Sequence, residues 1–484
     1  MLRTYFTYFL VFIPSFAFTS TEDRICFDLH GPTCAPGELS DPTGKSRAQN
    51  YTIFDRHEFE KSINLEIASQ VDKTLEDSKN RKFYEVAAEA FSVDGLPECT
   101  EIQNLDCKKR VSEALKNQLR QEIFYNDFVS KSEFKIQDLT SISYLSEHQV
   151  MAKLRGNLQT SADRYLNNHK VMDKIKNEVF PNVQGLLVEW LKEVLPPGKA
   201  RDNLIFKVDH IEFKGFDCTN DEINVPRDLE PGGTYLSVGN AVTYCKGSLH
   251  YTDSLFAIVR TLAHELSHSI DPCYIQFYLE KRKFKYSGTS QIDMEREYPF
   301  KNIISCLRDK RSAEAKRLNP PSPASNSYYT PISGGAGVVP PSQPPQAGAP
   351  QFDFCNIQNN GVVTNGDQIG EVMCDWVAAE ILPRYIEKYY TNLTTQDFRL
   401  GYLNSFRHWC YPQKQRNNDE FTTHPSFEKR ANSILLANPK IREQMGCSKD
   451  LPGTLYCDPK MITKPDNTVL PFQEAISNTE KGIK

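Results

Sequence analysis

Histidine is scarce in this chain, with ten in 484 residues. The sequence also lacks a Cys-x-x-Cys pair and an internal repeat. Beyond the first twenty residues it has no apolar run approaching the ~20 residues that a membrane-spanning helix needs. Each absence removes a class. Scattered cysteines do not make a zinc ribbon. Without a repeat there is no solenoid. A net charge of −5 gives no basic surface for nucleic acid, so no nucleic-acid partner is expected.

The start of the chain is what a secretory signal looks like. Arg3 precedes an apolar run from Tyr5 to Phe18, and Ser15-Phe16-Ala17 offers a small-x-small cleavage site. Residues 1–17 are therefore expected to be removed, leaving a secreted or periplasmic protein with no transmembrane span. Thirteen cysteines agree with an oxidising compartment, and the odd count predicts at least one unpaired thiol. Asn50-Tyr-Thr and Asn392-Leu-Thr are glycosylation acceptors if the host glycosylates.

Along the chain, 18–200 reads as a largely helical N-terminal region. The stretches FEKSINLEIASQVDKTLEDSK, KKRVSEALKNQLRQEIF and NVQGLLVEWLKEVL carry apolar residues at three- and four-residue spacing. NLIFKVDHIEF and TYLSVGNAVTYC then read as short strands, opening a second region over 201–470. Within it, 319–350 is rich in Pro, Gly, Ser and Ala and reads as an insertion unable to pack a core, while 471–484 is a tail.

With so few histidines, a chance His-Glu-x-x-His is expected in roughly one such chain in a hundred. One occurs in TLAHELSHSIDP, residues 261–272. On a helix over 253–270, Leu255, Ile258, Val259, Leu262 and Leu266 form one apolar stripe. His264 and His268 fall on the other side, beside Ala257 and Thr261, facing a cleft. Residues i and i+4 bring two imidazoles to one ion. Glu265 is rotated about 100° from His264, beside the metal, where it can take a proton from water.

A second helix reads from GEVMCDWVAAEIL, residues 370–382, with Ile369, Val372, Met373 and Trp376 dry and Glu371 and Asp375 together on the other side. A catalytic zinc takes three protein ligands and keeps one position open. Glu371 can supply the third ligand, and Asp375 can accept the free N–H of a ligating histidine.

HELSHSIDP followed by EVMCD resembles the gluzincin metallopeptidases. YLNSFRHWCY (402–411), THPSFEKRAN (423–432) and EQMGCSKDLPGTLYC (443–457) are similar in order to the ending of the neprilysin family. The resemblance covers about the C-terminal 60 % of the chain and reaches back weakly to about residue 170. It implies an α+β, mainly helical fold with a thermolysin-like zincin region and a helical N-terminal lobe. It also implies one Zn2+ per chain and a peptide or protein substrate. By the resemblance His264, His268 and Glu371 are the zinc ligands and Glu265 the general base, with Asp375 behind the first histidine. His424 would steady the tetrahedral intermediate, and Arg430 would grip the substrate backbone.

The same resemblance implies disulfides Cys26–Cys447, Cys34–Cys410 and Cys355–Cys457, with Cys374 unpaired. The chain departs from the family in its short helical lobe and in lacking the Asn-Ala-aromatic clamp, of which GNAVTY (239–244) is a loose echo. HPSFEKR also resembles the CAAX-protease type of gluzincin. The expected function is an exported zinc endopeptidase. The alternatives are a soluble CAAX-type relative and an exported binding or scaffold protein with a structural zinc.

Overall fold

A computed structural model describes residues 51–92, 105–125, 144–218, 232–236, 239–272, 369–406, 427–449 and 456–462, most of 24–33 and 299–307, and the pairs 356–357 and 363–364. The expected signal over 1–17, the expected insertion over 319–350 and tail over 471–484, His424, Asn50 and the expected Cys34–Cys410 pairing lie outside these residues.

The described protein is mainly helical with few strands. Helices α1 (Arg56–Glu76), α2 (Arg81–Ser92), α3 (Leu105–Tyr125) and α4 (Tyr144–Asn168) build the N-terminal part. Asp55 caps α1 by accepting from the Glu58 N–H. From α1, Phe59, Ile63, Ile67, Val71 and Leu75 point inward, four residues apart. This row meets Val111, Leu115 and Leu119 of α3 and Leu158, Ala162 and Leu166 of α4 in one core. The helical spacing read from 59–79 and 108–124 is this seam.

Helix α5 (Phe180–Val194) carries NVQGLLVEWLKEVL and packs on the two helices that hold the site. The next stretch corrects the sequence reading. NLIFKVDHIEF is not a strand; most of it belongs to helix α6 (Lys199–Asp209), and only its end enters strand β1 (Glu212–Gly215). Its β-branched residues suggest a strand, but Leu204 and Val208 stand four apart, both buried, with Ile211 buried just beyond the helix. Packing on α5 decides for helix over local propensity.

TYLSVGNAVTYC does give two strands, β2 (Gly233–Leu236) and β3 (Ala241–Tyr244). The sheet order is β1-β3-β2, with β1 parallel and β2 antiparallel to β3. Asn240 turns the chain between β2 and β3 at φ 45°. Its amide donates to the carbonyls of Lys207 and His210 and accepts from the Tyr235 hydroxyl. The GNAVTY segment is thus a locked turn and strand, not a free clamp.

Helix α7 (Gly247–Tyr251) precedes α8 (Leu255–Ser267), which packs most heavily on α9 (Ile369–Tyr389) and then on α10 (Thr395–Phe406). Neither α8 nor α9 has a wet face where one was expected: every residue of α8 is buried, as is α9 from Ile369 to Pro383. Alternation of polar and apolar positions reads as amphipathic in isolation, but α9 sets Glu371 and Asp375 against the histidine side of α8, and α10 and β2 pack on the same helix. Gly401 of α10 makes that closeness possible, since a Cβ there would come within 2.6 Å of the Phe256 ring. One core runs from Leu29 through both regions to Cys457.

Disulfides join Cys26 to Cys447, Cys218 to Cys245 and Cys306 to Cys457. The first pairing is the expected one. The partner of Cys457 is Cys306 and not Cys355, because the helical turn around Cys306 lies against the C-terminal segment, with Cα atoms 5.8 Å apart. Among the described residues Cys374 is the free thiol, and no helix is long and apolar enough to cross a membrane.

Candidate metal centre

Helix α8 presents His264 and, one turn on, His268, where the chain leaves the helix through a tighter turn. Their rings stand nearly perpendicular, with centroids 5.0 Å apart. From α9, Glu371 reaches between them: its Oε2 lies 3.1 Å from His264 Nε2 and 3.5 Å from His268 Nε2. The three residues each offer one ligand atom, all within 4.8 Å of one another. Ligands bound at ~2.0–2.1 Å around a tetrahedral ion stand about 3.3 Å apart, close to the 3.1 and 3.5 Å that separate Glu371 Oε2 from the two Nε2 atoms.

Each histidine has a carboxylate on its other nitrogen. Asp375, one turn beyond Glu371 on α9, lies 3.0 Å from His264 Nδ1 through Oδ1. Asp271 lies 3.1 Å from His268 Nδ1 through Oδ2. These contacts turn both Nε2 atoms toward Glu371. Behind Asp375 stands Arg430, donating from Nε to Oδ2 at 2.6 Å and from Nη2 to Oδ1 at 2.8 Å. The guanidinium that the resemblance sets against the substrate backbone is therefore committed, on two nitrogens, to Asp375. Arg430 begins a helical segment, Arg430–Leu435, that packs on α9.

The electrostatics follow from this chain of contacts. Burial opposes the Asp375 charge, but Arg430 and then His264 hold its carboxyl well below the usual carboxylate range. Burial likewise opposes a charged His264, yet Asp375 and then Glu371 raise it to about 9. His268 moves in the same direction, with burial outweighed by Glu371, Asp271 and Glu265. His264, His268 and Glu371 are the residues that would hold a dication here, and its charge would take the place of those protons beside the carboxylates.

Glu265 is buried beside the cluster, under strand β2. Gly233 of β2 passes so close that a Cβ would lie 2.6 Å from Glu265 Cγ. Tyr235, two residues on, stacks at 6.5 Å on the His268 ring. The edge strand of the small sheet thus forms one wall of the site.

The structure gathers His264, Glu265, His268, Glu371, Asp375 and Arg430 at one place, while His424 lies outside the described residues. Sequence reasoning missed Asp271, although its place three residues after His268 puts it within one helical turn of that ring. It also missed Gly370, where a Cβ would meet Asp271 Oδ2 at 2.6 Å. Elsewhere on α9, Glu380 lines a cavity of about 280 Å3 with Arg384, Glu387, Asn438, Lys440 and Tyr456. None of these belongs to the histidine cluster.

The chain matches no known family model and no curated protein. Its own geometry carries the functional reading.

Proposed function

We propose that this chain is an exported zinc-dependent endopeptidase with a thermolysin-like zincin region, built on His264, His268 and Glu371. One observation carries the reading. Two histidine Nε2 atoms converge on one Glu371 oxygen, each ring is held from behind by a carboxylate, and a further carboxylate, Glu265, stands beside them. When bound, zinc supplies a Lewis acid that acidifies water and polarises a carbonyl.

The chain's own residues divide the remaining work. Glu265 accepts the proton of the attacking water and returns it to the leaving nitrogen. Asp375 and Asp271 fix the tautomers of the two ligating rings. Arg430 fixes Asp375. His424, by the resemblance, steadies the oxyanion. The disulfides favour an oxidising compartment.

A structural zinc in a scaffold protein is less well supported. Such sites are closed by a fourth protein ligand. Among the described residues this group offers three. Metal analysis of the purified protein, joined to a peptide-library digest with and without chelator, tests the proposal. About one zinc per chain and chelator-sensitive cleavage are expected. Metal without any cleavage would favour the scaffold.

A further inference from the structure

Cys374 precedes Asp375 on α9, and the thiol faces the second histidine. Its Sγ lies 3.2 Å from His268 Nδ1, the nitrogen that Asp271 Oδ2 also approaches at 3.1 Å. Ligand atoms of His268, Asp271 and Cys374 all fall within 4.8 Å of one another, and all three side chains are buried. The cysteine is unpaired.

One ring nitrogen carries one proton and cannot serve a carboxylate and a sulfur equally well. A cation in place of that proton would satisfy all three groups together. Around a tetrahedral ion, N, O and S ligands at ~2.0–2.3 Å stand about 3.3–3.6 Å apart, so the two contacts to His268 Nδ1, at 3.1 and 3.2 Å, need open only by a few tenths of an ångström. A sulfur in the set selects soft or borderline cations over magnesium or calcium.

We propose that His268 Nδ1, Asp271 and Cys374 form a second metal site, for thiol-seeking divalent cations such as Cd2+ or excess Zn2+, on the ring edge opposite the first. With the first site empty, the His268 proton stays on Nε2, Nδ1 binds as a neutral donor, and the Cys374 thiolate and the Asp271 carboxylate balance the dication once the thiol proton has gone to solvent. With the first site filled, the Nδ1 proton also leaves to solvent, His268 becomes an imidazolate bridging two ions, and its negative charge is shared between them. Filling the second site then lowers the activity of the first. The inference extends the proposed zinc centre by sharing His268, but it does not need that centre to be filled or catalytic.

The test titrates the chelator-treated full chain, disulfides intact, with Cd2+, reading bound metal by equilibrium dialysis and thiolate-to-cadmium charge transfer by ultraviolet absorption. The wild type is expected to develop the thiolate band, and Cys374→Ala to lose it together with one equivalent of metal. Asp271→Asn, which keeps the sulfur, should still give the band but need at least about tenfold more Cd2+. His264→Ala should keep the band while losing the other equivalent. Total metal separates the two readings. Two ions per wild-type chain support both sites, one ion with the band supports this site alone, and one without it supports the first alone. Absence of the band at saturating Cd2+, or a band undiminished in Cys374→Ala, overturns the proposal.

Discussion

Arg430 holds Asp375 by both carboxylate oxygens, and Asp375 in turn holds His264, so a buried cation stands two contacts behind the proposed metal. Removing one partner of a buried ion pair strands the other charge and costs about 3–5 kcal/mol. Arg430→Met should therefore destabilise the protein by about that much, measured by chemical denaturation. Arg430→Met combined with Asp375→Leu should recover part of the loss. A double variant as unstable as the sum of the single ones would mean that the pair is not coupled as described.

Gly370 touches neither proposed ion, yet a Cβ there runs into the Asp271 carboxylate. Gly370→Ala should displace Asp271 from His268 and weaken zinc binding by about 10–100-fold, the range for loss of a ligand's outer partner. Helix propensity alone would make the same change mildly stabilising. Unchanged zinc affinity, read by competition with a chromophoric chelator, would remove Asp271 from the account.

Glu380 supplies a pH dependence remote from the metal. Its Oε1 accepts from Asn438 Nδ2 at 2.7 Å and from the Tyr456 hydroxyl at 2.6 Å. Burial raises its carboxyl from 4.5 to about 7, against the lowering effect of the Tyr456 bond. A raised carboxyl pKa means that the folded state binds the proton more tightly than the unfolded one. Its contribution is thus fully present below pH 4.5 and is lost as pH rises through about 7. The shift corresponds to about 3 kcal/mol. The part of the stability that Glu380 carries should fall by about that amount between pH 4.5 and pH 7.5, read as the difference between the wild type and Glu380→Gln over that range.

The sequence made some of this legible, for physical reasons that differ by residue. Helix α1 and the two site helices announce themselves because an apolar residue at every third or fourth position leaves few alternatives. The cluster was legible because two ligands sit in one short motif, and Glu371 and Asp375 repeat the one-turn spacing. NLIFKVDHIEF reads as a strand and folds mostly as helix because packing on α5, which no local pattern reports, overrides β-propensity. The burial of α8 and α9 on all sides was hidden for the same reason: a cleft and a covered face carry the same polar residues. Cys306 could not be matched with Cys457 from the sequence, since pairing depends on which segments meet.

The disulfides give a further expectation. In the chain-entropy model, closing the 421-residue separation of Cys26 and Cys447 stabilises by about 6 kcal/mol, and the 151 residues between Cys306 and Cys457 by about 5 kcal/mol. Non-reducing peptide maps should show Cys26–Cys447, Cys218–Cys245 and Cys306–Cys457. Cys447→Ser should lower the melting temperature sharply. A map that joins Cys355 to Cys457 would contradict the C-terminal packing.

The most direct test of the central claim is zinc content and peptide hydrolysis measured side by side in Glu265→Gln. Glu265 stands beside the ligand group and is not a member of it. The account predicts about one zinc per chain, as in the wild type, with hydrolysis reduced by at least about 100-fold, the scale of a lost general base. Full hydrolysis by the zinc-loaded Glu265→Gln protein would contradict it.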